Sequence, residues 1–304
     1  MTVAHYKNGN YSVFIDLKTG TKIRYNKEDT LTPSRPESID VKITNKCNHQ
    51  CFFCHENSTP NGKKASYKTM EKFVSDLPEY TEIAVGGGNL LEDTDHTEWF
   101  LRMLVRHNCI PSITVQQEDF LKHRYLLEMW YKQQLFYGLG VSLSNAQDKN
   151  FIYTITHSEI PTIVLHVIVG LFNQSDFKTL SKQNLKILIL GYKEIRRGKQ
   201  CGYLNTARFQ FNKDMLIKYL RNGIAQDSFA TISFDNLALE QLKIREILPK
   251  EVWNKYYMGD DGEYTFYVDL VEETFAKSSI EIADRISFKN LYLSPQEMFD
   301  LIKR

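Results

Sequence analysis

The chain has 304 residues, 42% of them hydrophobic and 25% charged, with a formal net charge of +1. That length suits one enlarged α/β domain or a domain with an appendage, and the near-neutral balance gives no bulk attraction to nucleic acid or a membrane surface. No apolar run approaches the ~18–20 residues of a membrane span, and the first residues lack the apolar stretch of a signal peptide. The 5 cysteines are an odd number with three clustered, so they form no disulfide framework. A reducing, cytoplasmic setting is the expectation.

Residues 1–36 read as a small β element. Tyr11–Ile15 and Thr21–Tyr25 are β-rich runs across a turn at Asp16–Gly20, and Pro33, Ser34 and Pro36 mark a connector. From residue 37 to 200 strands and helices alternate. Ile39, Val41 and Ile43 alternate as a strand, and a loop with three cysteines follows. Ser66 caps a helix with Met70, Phe73, Val74 and Leu77 on one face. The next strands are Ile83–Val85, Ile110–Val115, Phe136–Leu143, Thr162–Val169 and Leu185–Leu190. Helices are expected between them at Asp95–His107, Glu118–Gln134, Gln147–Thr156 and Asn173–Ser181. Six strand–helix repeats imply a parallel sheet with right-handed crossovers, whose ligands bind at the carboxyl ends of the strands. Residues 201–304 break the rhythm. Asn212–Asn222 and Asp235–Ile247 look helical, Thr231–Phe234 and Tyr264–Asp269 look like strands, and Gly259–Gly262 is a turn. This reads as an α+β extension closing one side of an open barrel.

The run Cys47-Asn-His-Gln-Cys51-Phe-Phe-Cys54 carries the chemistry. Thiolates hold iron–sulfur clusters, and three of them leave one iron without a protein ligand. The residues alone also permit a zinc site completed by His49 or His55, or three unrelated cysteines. The C-x3-C-x2-C spacing, with Phe53 before the last cysteine, resembles the signature of radical S-adenosylmethionine (radical SAM) enzymes. The match spans residues 37–200. The wider chain resembles phage- and prophage-encoded radical SAM proteins of unassigned substrate, in which runs like Gly86–Asn89, Val141-Ser142, His166–Ile168 and Leu190–Lys193 recur in this order. The resemblance implies a partial (β/α)6 barrel, a [4Fe–4S] cluster on Cys47, Cys51 and Cys54, and S-adenosyl-L-methionine as the second cofactor.

The resemblance also implies cofactor contacts. Phe53 would pack near the adenine, and Gly86, Gly87 and Gly88 would offer backbone to the methionyl amine. Asn89 stands where the family often has Glu, with Glu92 as a substitute. Ser142 and Ser144 would meet the ribose or carboxylate, Gly170 would let the adenine approach, and Leu190 to Tyr192 would read its edge. The plain readings are a strand-end turn for the glycines and a helix cap for the serines.

Other candidates lie around the same rim. His166 sits in an apolar strand, either as a buried core histidine or, if it points inward, as a substrate ligand. Gln116 and Gln117 end a strand at the same rim. Lys193, Arg196, Arg197 and Lys199 form a basic run, either solvated or poised for a carboxylate or phosphate. Cys201 is an incidental thiol or, as in radical SAM peptide epimerases, a quencher of a substrate radical. Cys109 reads as packing.

The expected activity is radical modification of a peptide or small metabolite, fed by a reductant such as flavodoxin or ferredoxin. The alternatives are a nucleotide or nucleoside substrate, in the manner of deazaguanine-pathway or viperin-like enzymes, and a zinc-stabilised binding module. A nucleic-acid polymer is not expected as partner. No second cysteine cluster follows residue 54, which disfavours the auxiliary-cluster peptide maturases.

Overall fold

A computed structural model describes residues 3–27, 30–222, 228–291 and 293–303. Three strands open the chain: β1 (Val3–Asn8), β2 (Tyr11–Asp16) and β3 (Lys22–Tyr25), antiparallel in that order. The sequence predicts β2 and β3; β1 is an addition, its alternate residues Ala4, Tyr6 and Asn8 turned inward. The six expected strands follow: β4 (Ser38–Thr44), β5 (Glu82–Gly87), β6 (Ile110–Gln116), β7 (Gly138–Ser142), β8 (Ile163–Ile168) and β9 (Lys186–Leu190). Each pairs in parallel with the next, and helices such as Tyr67–Ser75 and Thr94–Arg106 make the crossovers.

The parallel array is larger than the sequence suggests. β10 (Thr231–Phe234) adds in parallel to β9, and β11 (Thr265–Asp269) adds in parallel to β4. β12 (Thr274–Ala276) and β13 (Ile286–Ser287) continue antiparallel beyond β11. A six-stranded sheet would leave two edges of unpaired backbone groups, and the C-terminal extension covers both. Among the described residues β10 and β11 form no ladder with each other, so the ten-stranded sheet stays open along one seam. The Asn236 side chain crosses it, donating to the Asp261 carboxylate at 2.7 Å and the Gly259 carbonyl at 3.3 Å.

Strand alternation divides the sheet into two unlike faces. Ile39, Val41, Ile83, Val85, Ile113, Val115, Leu139, Val141, Leu165, Val167, Ile187 and Ile189 face the helices, each at most 4% exposed. The inward residues, among them Asp40, Ala84, Ser112, Thr114, Ser142 and His166, remain half-buried or exposed. The N-terminal sheet shuts the far end. Its Ala4, Tyr6, Tyr11, Val13 and Ile15 pack with Ile110 and Tyr264, at the starts of β6 and β11. Buried Glu37 pins this lid: Tyr11 donates to it at 2.6 Å, and Arg24 and Lys22 pair with it at 2.9 and 3.3 Å.

Candidate active site

The loop from residue 45 to 66 leaves the C-terminal end of β4 and folds back on itself. The Cys47 amide donates to the Thr59 carbonyl at 2.9 Å and the Asn45 amide to the Lys63 carbonyl at 2.7 Å. Ser58 Oγ donates to Asn45 Oδ1 at 3.0 Å. Gln50 and Asn57 take left-handed φ values of 51° and 54°, turning the tip between these anchors. Cys47, Cys51 and Cys54 all lie on this tip, half-buried. Burial, with Cys54 and Cys47 beside it, pushes the Cys51 thiol up to about 11. Burial also raises Cys47, against a backbone amide at His49 that hydrogen-bonds its sulfur. A metal taking these ligands therefore displaces protons. Among the described residues no three His, Cys, Asp or Glu side chains are drawn close enough to hold a metal ion as they stand.

Neither nearby histidine joins the thiols. His49 Nε2 meets Asp119 Oδ2 at 2.5 Å, with Asn89 Nδ2 at 3.4 Å. His55 Nε2 lies 3.4 Å from both Glu56 and the Lys193 ammonium; burial and that ammonium keep its imidazole neutral.

A charge network that the sequence reading missed lies directly beneath the loop. Lys42, 2% exposed on the inner face of β4, pairs with Glu56 at 2.8 Å and Asp269 at 3.1 Å. Arg196 and Arg285 add one further cation to each acid, both at 3.2 Å. Tyr267 on β11 donates to Glu56 at 3.1 Å. Burial opposes its charge, yet these cations hold Glu56 well below the ordinary carboxylate range. The alternation Asp40, Lys42, Thr44 within an otherwise apolar strand was the available signal. Three residues of the basic run, Lys193, Arg196 and Arg197, are part of this framework, while Lys199 is exposed. Arg196 also donates to the Glu56 carbonyl at 3.0 Å, Arg197 donates to the Ser58 carbonyl, and Lys193 donates to Ser279 at 2.8 Å.

The glycine run leans on the base of the cysteine loop. The Gly88 amide donates to the Thr44 carbonyl and the Asn89 amide to the Lys46 carbonyl, both at 2.7 Å. Gly87 has φ 127°, and a Cβ there would stand 2.3 Å from the Thr44 oxygen; one on Gly88 would stand 2.3 Å from the Lys46 oxygen. Only glycine permits this approach. A Cβ on Gly86, in contrast, would have nothing within 4 Å. The Asn89 side chain is committed elsewhere, its Oδ1 accepting from the Leu91 amide at 2.9 Å. Glu92 reaches the cysteine loop, accepting from Asn48 at 2.6 Å. Phe53 is partly buried against the main core, edge-on to Phe52.

The remaining candidates divide. Ser142 and Gln116 stand side by side on the inner face, and His166 is the next neighbour of Ser142. The His166 ring occupies the notch at Gly140, where a Cβ would fall 2.4 Å from it, and burial lowers its pKa to about 4. Gln117 turns away to bracket the loop after β7, accepting from the Ser144 and Asn145 amides at 2.9 Å. The space beside Gly170 holds Phe209, whose ring lies 2.2 Å from an added Cβ. That glycine therefore admits a helix residue, Phe209 of Ala207–Arg221. Leu190 ends β9 on the inner face, its carbonyl accepting from Val169 at 2.8 Å. The Tyr192 amide and carbonyl are both paired with the Gln241 carboxamide at 2.9 Å, so they are not open edges. Cys201 is exposed, and its sulfur lies 3.1 Å from Tyr192 Oη. Cys109 is buried, as expected, with burial pushing its thiol up to about 12.

No protein-family model matches the sequence, and no curated protein does. Among solved structures, SuiB of Streptococcus suis aligns at TM-score 0.55 and 10% identity, over 91% of this chain and 81% of that one. The chain is similar in fold to SuiB. BtrN in complex with AdoMet and 2-DOIA aligns more loosely, at TM-score 0.39 and 13% identity, over 91% of this chain and 89% of that one. Among the described residues no helix is long and apolar enough to cross a membrane.

Proposed function

We propose that this chain is a radical SAM enzyme in which Cys47, Cys51 and Cys54 hold a [4Fe–4S] cluster with one iron free of protein ligands. The observation that carries this reading is the position of the cysteine loop. It follows the C-terminal end of β4, rests on the Gly87–Asn89 backbone and adjoins an accessible inner face. Ligands of parallel α/β sheets bind at that end. The donor set fits the cluster: three thiols on one tip, an amide directed at the Cys47 sulfur, and two histidines bonded to other groups.

When bound, the cluster and S-adenosylmethionine supply a 5′-deoxyadenosyl radical. The chain supplies placement and exclusion. The Lys42–Glu56–Arg196 network fixes the loop, Gly87 and Gly88 bring backbone close, and Gly86 leaves room beside it. Ser142 and neutral His166 offer hydrogen bonds inside the barrel, and the N-terminal sheet keeps water out of the far end. The substrate is a peptide or small metabolite, and a flavodoxin or ferredoxin delivers the electron.

Protein purified without oxygen and supplied with iron and sulfide should hold about four of each per chain. A colourless protein loaded with zinc would refute the reading.

A further inference from the structure

The inner face of the parallel sheet carries polar side chains that the fold does not use. Barrel interiors are ordinarily filled by layers of branched apolar side chains. Here the inward positions of β5 and β7 include Ala84, Gly86, Gly138 and Gly140, and the space at Gly86 is open. Beside these small residues stand Asp40, Ser112, Thr114, Gln116, Ser142 and His166, all solvent-accessible. Among the described residues none of these six side chains has a hydrogen-bond or ion-pair partner. Unpartnered polar groups converging on one hollow form a recognition surface.

The six are layered. Gln116, Ser142 and His166 share the row nearest the C-terminal rim, and Asp40, Ala84, Ser112 and Gly138 share a deeper one, with Ser38 and Glu82 beyond it. Along β6 the two rows lie four residues apart, about 13 Å at strand rise. Asp40 is the one formal charge among the six. Lys42, two residues along the same face, is balanced by Glu56 and Asp269; the other charges acting on Asp40 are one ammonium, Lys193, against two carboxylates, Asp261 and Asp235. The floor is therefore net acidic. His166, kept neutral at ordinary pH by burial, places no positive charge in the path to it.

Resting on the radical SAM reading of the rim, we infer that this hollow takes a substrate bearing a protonated primary amine, with Asp40 as the anchor of the amine, Ser112 in the same row, and the Thr114 and Ser142 hydroxyls meeting the rest of the molecule towards the rim. The amine belongs either to a small polar molecule such as an amino sugar or to a lysine side chain of a peptide.

Isothermal titration of the full chain, before any cluster is built, tests this. The probes are glucosamine against N-acetylglucosamine, and Nα-acetyl-lysine methylamide against its Nε-acetylated form. One amine should bind at least about tenfold more tightly than its acylated partner, and Asp40→Asn should remove that preference. Whichever amine binds names the source. Equal binding within both pairs, no binding of either amine, or a preference that survives in Asp40→Asn would overturn the inference. Should Asp40→Asn fail to fold, the comparison on the unaltered chain still decides. These outcomes need no iron, so they are independent of whether the cluster forms.

Discussion

Lys42→Met probes the framework under the cysteine loop. The ammonium is 2% exposed and bridges Glu56 and Asp269 at 2.8 and 3.1 Å. Removing one partner of a buried pair costs about 3–5 kcal/mol. The low end applies, because Glu56 keeps Arg196 and Asp269 keeps Arg285. At about 2.1 cal/mol/K per residue the unfolding entropy of this chain is roughly 0.6 kcal/mol/K, so 3 kcal/mol lowers Tm by about 5 °C. The sign with pH follows from Glu56, which the network holds below its unfolded value. Its contribution is present above the unfolded carboxylate pKa of about 4.3 and is lost as pH falls below it. The deficit of Lys42→Met should therefore be largest near neutrality and shrink in acid, and Glu56→Gln added to Lys42→Met should recover part of it. Thermal unfolding followed by circular dichroism measures both. A Tm within about 1 °C of the unaltered chain would refute the assignment of the network as the support of the loop.

Three further outcomes are expected. Gly88→Ala should lower iron retention after reconstitution, since its Cβ meets the Lys46 carbonyl, whereas Gly86→Ala should leave it unchanged; equal iron in the two variants would contradict this. Gln241→Ala strips partners from the Tyr192 amide and carbonyl and should cost about 1–3 kcal/mol in chemical unfolding; an unchanged midpoint would count against it. Asp40 is open to solvent but ringed by protein inside the hollow, and that desolvation, opposed by Lys193 and reinforced by Asp261 and Asp235, lifts its carboxyl to about 6, above its unfolded value. Stability from that group is present at acid pH and lost as pH rises through about 6. Asp40→Asn should accordingly raise Tm near pH 7.5 but not near pH 4, and a lower Tm at the higher pH would be inconsistent.

What the sequence disclosed followed local pattern. Short-range spacing marked the cysteine loop, and apolar periodicity marked all six central strands. The strand pairs beyond them depend on contacts between distant segments: β11 joins β4, and β10 joins β9, which no local window contains. The expected helix Asp235–Ile247 is divided at Lys243, whose φ is 52°, into Asn236–Gln241 and Ile244–Ile247. The glycine after β8 illustrates a further limit. Gly170 looks like a ligand approach in sequence, but its missing side chain makes room for Phe209. Tyr192 likewise looks like an open backbone edge until Gln241 is seen paired with it. Asp40 and Lys42 were visible as charged residues in an apolar strand, yet their roles depend on which face of the sheet turns inward.

The most direct measurement is 5′-deoxyadenosine, followed by mass spectrometry after dithionite is added to the iron-loaded protein with S-adenosylmethionine. The account predicts this nucleoside from the unaltered chain and none from Cys51→Ala. Its absence from fully iron-loaded protein, or equal amounts from both, would contradict the account.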